Sequence, residues 1–356
     1  MGSDNGTGRA FIGSFTSAGG RGITVAAVDR ETGELTVLGA TDAVPDPSYL
    51  ALGHGPGPGG RTLYTVSETE YGAAAALDVT GDVPRLFGEI RPVEGSGPTH
   101  LALAGGHLLT ANYGSGSVTA LSVRADGSLG AVTAVLRHEG GGPDIERQRG
   151  PHAHQVLPDP SGNWVLAVDL GTDSVRICAL DTATGALRPH GETALRPGTG
   201  PRHLAFHPAG SHAYVLNELE PTVTVCRWDA ATGVLEPLGE TSVLPEEPVG
   251  DGDAAIYPSE VVVSHDGRFL WTANRGDDSI SVLALDAAGE KATPVTTVGC
   301  GGHWPRDLAL DPTGRWLYAA NERSGNVSWF AVEPSTGIPR PAGSLEVPAA
   351  SCVIFA

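Results

Sequence analysis

Histidines, arginines and carboxylates fall at two recurrent places along this chain. One is the start of a short apolar run that opens with proline, where His100, His152, His154, Arg202, His203, Glu260, Arg306 and Asp307 stand. The other is the end of the next run, which holds Glu68, Asn112, Asp169, Asn217, Glu218, Asn274, Arg275, Asn321, Glu322 and Arg323. Such a set can carry acid–base chemistry on an anionic substrate. A base takes a proton from water or carbon, a donor stabilises the developing oxyanion, and a cation holds the substrate's carboxylate or phosphate. His154, His152 and Glu218 are the candidate bases. Imidazole titrates near neutral pH, whereas a carboxylate needs burial or a like-charged neighbour to reach it. Arg202 and Arg275 offer planar forks that fit an anion, although pairing with Glu218, Glu260 and Glu322 is the alternative. Asn112, Asn217, Asn274 and Asn321 also have a structural explanation, since a short polar side chain at a strand end commonly satisfies backbone groups.

Other chemistries find no support. There is no G-x-S-x-G, and Ser259 has no base near it in sequence. There is no H-E-x-x-H or EF-hand loop, so neither a metal nor a cofactor is demanded. Cys178, Cys226, Cys300 and Cys352 form no C-x-x-C pair, and the first two sit in apolar runs where a thiol acts as a small hydrophobe.

Bringing these residues together is the task of a repeat. An apolar run, a turn, a second run ending in Asn or Glu, an alternating run and a T-G-like turn recur along the chain. The turn glycines are Gly33, Gly81, Gly127, Gly185, Gly233, Gly289 and Gly337, at intervals of 48, 46, 58, 48, 56 and 48 residues. That period, filled with short strands, predicts an all-β propeller of seven blades with four antiparallel strands each. Turns such as Asp159-Pro-Ser-Gly162 and Asp311-Pro-Thr-Gly314 join the first two strands of a blade. Inner strands are expected to start at Pro47, Pro98, Pro151, Pro201, Pro258, Pro305 and Pro348. The chain starts on a second-strand pattern, Ala10–Ser14, and ends on an inner-strand pattern, Ser351–Phe355, so the C-terminal strand should close the first blade. One propeller domain is expected over residues 9–356, after a flexible 1–8. In an antiparallel blade, the start of the inner strand and the end of its partner share one end of the channel, so the polar residues form a single mouth. Longer stretches at 138–150 and 244–257 precede inner strands at that same end and are expected to build a rim.

Composition narrows the partners. The net charge is -19 with Lys291 the single lysine, a surface that repels nucleic acid and anionic membranes. No apolar run approaches the ~18 residues of a membrane span, and no signal peptide is visible. A cytoplasmic monomer with a small anionic substrate is the expectation.

Several segments resemble the lactonase family of seven-bladed propellers, which includes propeller-type 6-phosphogluconolactonases and carboxy-muconate lactonising enzymes. Glu146-Arg-Gln-Arg-Gly-Pro-His-Ala-His154 is similar to that family's E-R-Q-x-x-P-H-x-H stretch, and Asp169-Leu-Gly-Thr-Asp173 to its D-L-G-x-D turn. Gly200-Pro-Arg-His203 with Asn217-Glu-Leu219, Tyr257-Pro-Ser-Glu260 with Asn274-Arg-Gly276, and Asn321-Glu322 complete the set. The resemblance implies catalytic roles for His154, Arg202, Glu218 and Arg275. It leaves His100, His152, Asp169, His203, Asn217, Glu260, Arg306 and Glu322 as substrate-binding candidates. One departure is the Ala-rich Thr69–Ala75 of blade 2, beside which a less well packed strand is expected. The expected activity is hydrolysis of a small anionic lactone by acid–base catalysis. A cyclase acting on an unsaturated dicarboxylate and a non-catalytic binding propeller are the alternatives.

Overall fold

In the computed structural model, which describes residues 7–54, 61–244 and 255–356, the alternating runs pair into seven antiparallel sheets. Six follow chain order from inner to outer strand. In the remaining one, blade 1, the C-terminal strand Ala350–Phe355 lies inside Thr7–Ser14, with Ala10 opposite Phe355 and Ile12 opposite Val353. The last strand therefore closes the ring, as its pattern predicts. The first strand begins at Thr7, two residues before the expected boundary, and residues 1–6 of the expected flexible terminus lie outside the described residues. Only two short 3-10 turns, Thr16–Ala18 and Leu170–Thr172, interrupt the strands, and no described helix is long and apolar enough to cross a membrane.

Seven clusters of buried apolar side chains hold the blades, one at each junction between neighbours. Because every sheet has two apolar faces, only a closed ring gives each of them a partner. Hydrogen bonds reinforce these junctions at the turns that mark the repeat. The Tyr64 hydroxyl donates to the Gly127 carbonyl at 2.7 Å, Tyr318 to Gly33 at 2.8 Å, and the Trp271 indole to Gly337 at 2.7 Å. A side chain on Gly33 or Gly337 would meet an aromatic ring of the adjacent blade at 2.5 Å, and both glycines have positive φ. The recurrent glycine is thus both a turn residue and an inter-blade contact. Blade 2 shows the expected weakness: beside its Ala73–Asp78 strand, the outer strand is reduced to Arg85–Leu86 and Arg91–Pro92.

The mouth ends of the inner strands are irregular. In blades 4, 5, 6 and 7, pairing with the next strand shifts register between Ala153 and Gln155, Pro201 and His203, Pro258 and Val261, and Pro305 and Asp307. Such bulges re-aim side chains. Here they put two successive residues of one strand, such as Arg202 and His203, into the buried polar region around the channel.

Candidate functional site

Arg202, at the bulge of blade 5, and Glu218 and Arg275, at the ends of the second strands of blades 5 and 6, meet at one side of the mouth. The Glu218 carboxylate lies 3.2 Å from Arg202 Nε and 2.8 Å from an Arg275 terminal nitrogen. A third cation comes from the 138–150 insertion: Arg147 lies 2.5 Å from Glu218. That insertion is anchored by Gln148, whose amide donates to the Leu170 carbonyl and to Asp173, both at 2.8 Å. Asp144 then accepts the amides of Glu146 and Arg147 and so sets the direction of the arginine.

Three guanidiniums on one carboxylate leave an excess of two positive charges in a chain whose net charge is -19. Burial alone would raise the Glu218 carboxyl, but Arg275, Arg202 and Arg147 outweigh it and hold it down at about 2. Burial, aided by the like charge of Arg275, lowers Arg202 to about 10. Arg202 and Arg275 are nearly enclosed, each donating to backbone carbonyls of blade 6: Arg202 to Ser259, and Arg275 to Tyr257 at 3.0 Å. Arg147 remains one-third exposed, with 34% of its side chain accessible. Across the mouth, Arg306 lies 3.3 Å from Glu68 and 3.5 Å from Glu322.

Below this charged rim lies a layer of imidazoles and acids. The His203 ring centroid is 5.1 Å from that of His154 and 5.4 Å from that of His100, and Tyr49 packs on His100 at 4.1 Å. Burial pushes all three histidines well below their ordinary value, so they are neutral at physiological pH. His203 Nδ1 lies 2.7 Å from Glu260, and burial raises both Glu260 and Asp307. His100 Nδ1, His154 Nδ1 and His203 Nε2 are buried without a hydrogen-bond partner. Buried polar atoms are ordinarily paired, so three bare nitrogens in one channel mark a place prepared for something polar. Among the described residues no group of three His, Cys, Asp or Glu is arranged to hold a metal ion.

This arrangement can be set beside known proteins. The family described as "Lactonase, 7-bladed beta-propeller" matches residues 9–355. The chain belongs to that lactonase family. It is 33% identical over 350 residues to a 6-phosphogluconolactonase of Bacillus subtilis, covering 97% of each chain. It is also similar to two solved structures. One is a putative 6-phosphogluconolactonase from Bacteroides fragilis, with TM-score 0.90 and 27% identity, covering 100% of this chain and 99% of that one. The other is a periplasmic gluconolactonase from Pseudomonas aeruginosa, with TM-score 0.87 and 30% identity, covering 98% and 99%.

In this lactonase-family chain, the four residues His154, Arg202, Glu218 and Arg275 do come to the same end of the channel, joined by His100, His203, Glu260 and Arg306. Two expected substrate contacts stand at that end but are engaged by neighbouring strands and turns. Asn217 is fully buried and its amide donates to Thr222 and Thr224 at 2.9 and 3.1 Å, tying two strands together. Asn112 and Asn274 repeat this bond, so the recurrent Asn is a structural element of the blade, although it reaches hydroxyls and not the backbone of an Asx turn. Asp169 is also fully buried. Its carboxylate accepts the amides of His152, Gly171 and Thr172 and lies 2.5 Å from His138 Nδ1, which leaves it no role at a substrate. His152 is stacked on Tyr113 at 4.4 Å, with Nδ1 against the Tyr113 carbonyl. Glu322 serves as a partner of Arg306. Glu218, also expected as a candidate base, is held ionised by the three cations around it.

Sequence reasoning missed Arg147, Tyr49 and Trp304. Arg147 stands inside the E-R-Q-R-G-P-H-x-H segment, and the segment's resemblance was its only signal. Trp304 has φ +64, an unusual value for a bulky residue, and its ring lies beneath the guanidiniums of Arg275 and Arg323, at 5.6 and 3.4 Å from the centroid. The 138–150 rim forms as expected, whereas most of the 244–257 stretch lies outside the described residues.

Proposed function

We propose that this chain is a hydrolase of small anionic lactones, with a sugar-acid or sugar-phosphate lactone as substrate. The observation that carries the reading is the surplus of buried positive charge around Glu218, supplied by Arg147, Arg202 and Arg275. A buried surplus of this kind is costly unless an anion neutralises it. The printed names of the relatives supply the reaction class. The arginines would take the substrate's carboxylate or phosphate and the charge that develops on the carbonyl oxygen. Neutral histidines beneath them would handle the proton. Four free, buried cysteines support a reducing compartment, and a ring whose free edges are confined to the outer strand of each blade supports a monomer.

The test is hydrolysis of a panel of gluconolactones with and without a phosphate, together with the thermal shift each product induces. Arg202→Ala is expected to cost about 2–4 kcal/mol at the transition state, or roughly 30- to 1,000-fold in kcat/KM. Full activity in that variant would end the proposal. Solvent deuterium at a substrate carbon would instead indicate a cyclase.

A further inference from the structure

Apart from His100, whose Nδ1 is buried with no carboxylate beside it, the mouth contains four candidate proton acceptors, and only one has the surroundings of a base. Glu218 is pinned by arginines. His152 is held by a backbone carbonyl at Nδ1 and stacked on Tyr113 at the rim. His154 Nδ1 is buried with no carboxylate to stabilise a positive charge on the ring. His203 differs: its Nδ1 is 2.7 Å from Glu260 Oε2, and its Nε2 is buried and unpartnered. Glu260 is itself fixed, with Oε1 accepting the Val261 amide at 3.0 Å, while Asp307 Oδ2 accepts the Val353 amide at 2.7 Å.

We propose that His203 is the general base of this site, positioned and stabilised by Glu260. The inference rests on the lactonase reading above. With Glu260 ionised, His203 Nδ1–H donates to it and Nε2 presents a lone pair toward the channel. This carboxylate–imidazole geometry fixes a tautomer and supports a transient imidazolium. The water oxygen bonds to the lactone carbonyl carbon while one water proton moves to His203 Nε2. The carbonyl electron pair becomes an oxyanion held by the arginines. Collapse breaks the ring C–O bond, Nε2–H returns the proton to the leaving oxygen, and the new acid then loses its proton to solvent.

The surrounding charges bear on which carboxyl of the pair is ionised and on how readily His203 takes a proton. Burial, and then the charge of Glu260, push Asp307 well above the usual carboxylate range. Burial also raises Glu260, against the opposing pull of Arg202. Asp307 therefore keeps its proton and Glu260 is the member that ionises. Tyr49 and Cys352 also face this pair, and burial raises both, so neither adds a competing charge. Burial, then Arg202, Arg306 and Arg275, hold His203 well below its ordinary value against the pull of Glu218, so the adjacent Glu260 carboxylate is what must stabilise a transient charge on the ring, while His100 and His154 flank it as neutral rings. In acid, Glu260 protonates and donates to Nδ1. The His203 proton then moves to Nε2 and the base is lost.

The experiment measures kcat and KM for lactone hydrolysis from pH 5 to 9 in the wild type, His203→Gln, Glu260→Gln, Glu260→Asp and His154→Gln. In parallel, imidazole 15N NMR of the wild-type chain reads the His203 tautomer. His203→Gln should lose at least 100-fold in kcat with KM within threefold. Glu260→Gln should lose at least tenfold and also the acidic limb of the profile, with partial recovery in Glu260→Asp. The spectrum should show Nδ1–H and bare Nε2 at pH 8. If the wild type opens lactones but His203→Gln keeps more than a tenth of kcat while His154→Gln does not, the base is His154 and the inference fails with the lactonase reading intact. If the wild type opens no lactone, the lactonase reading fails, and the spectrum still decides the tautomer. An Nε2–H form at pH 8 overturns the inference in either case.

Discussion

Replacing Glu218 with glutamine tests the electrostatic basis of the site directly. The carboxylate is almost fully enclosed by Arg147, Arg202 and Arg275, and its acidity is shifted from the ordinary 4.5 to about 2. That difference corresponds to about 3 kcal/mol in favour of the ionised, folded form. The Glu218→Gln amide would be isosteric but would leave the buried Arg202 and Arg275, and the partly exposed Arg147, without a counter-charge, so a loss of about 3–5 kcal/mol at pH 7 is expected. For a chain of this size that is about 5 °C in melting temperature. The sign of the pH effect follows from the lowered acidity. The folded-state value lies below the unfolded one, so the contribution is fully present above pH 4.5 and is lost as pH falls toward 2. Each pH unit in that window removes about 1.4 kcal/mol from the wild type and nothing from the variant. The gap between the two proteins should therefore be widest at neutral pH and narrow in acid. Sulfate or phosphate should recover much of the variant's loss by occupying the vacated seat, with less effect on the wild type. Urea unfolding of both proteins at pH 7 and pH 3.5, in chloride and in sulfate, measures all of this. A variant as stable as the wild type at pH 7, or a gap that persists unchanged in acid, would refute the reasoning.

Two further outcomes are expected. Arg147→Ala removes the most exposed of the three cations and halves the surplus charge, so KM should rise about tenfold with kcat within a few-fold and a stability change of about 1 kcal/mol or less. Steady-state kinetics and a thermal melt read both. Deleting residues 348–356 removes the strand Ala350–Phe355 that closes blade 1, and strips Ala350, Cys352 and Val353 from two inter-blade clusters. The truncated chain should lose its cooperative melt and elute as aggregate in size-exclusion chromatography, and retention of the wild-type melting temperature would contradict ring closure.

The architecture was legible in the chain alone. The repeat places a similar signal in each blade, from the turn glycine to a second strand that has Asn at or next to its end in four of the seven, so no single ambiguous segment decides the fold. Antiparallel pairing then dictates that strand starts and ends share one mouth, which brought His154, Arg202, Glu218 and Arg275 to one end of the channel. What each of these groups can do became readable only in the folded ring. Arg147 and Glu218 are 71 positions apart, and His203 and Glu260 are 57 apart. No local pattern specifies that the first pair adds a third cation to Glu218, or that the second sets a carboxylate against His203 Nδ1. Asn217 and Asp169 carry the same residue types as a binding site, yet both are buried and consumed by hydrogen bonds to nearby strands and turns. Residue type and strand position follow from periodicity along the chain. Charge state, tautomer and accessibility depend on which neighbours arrive from other blades, and on how far water is excluded once they have arrived.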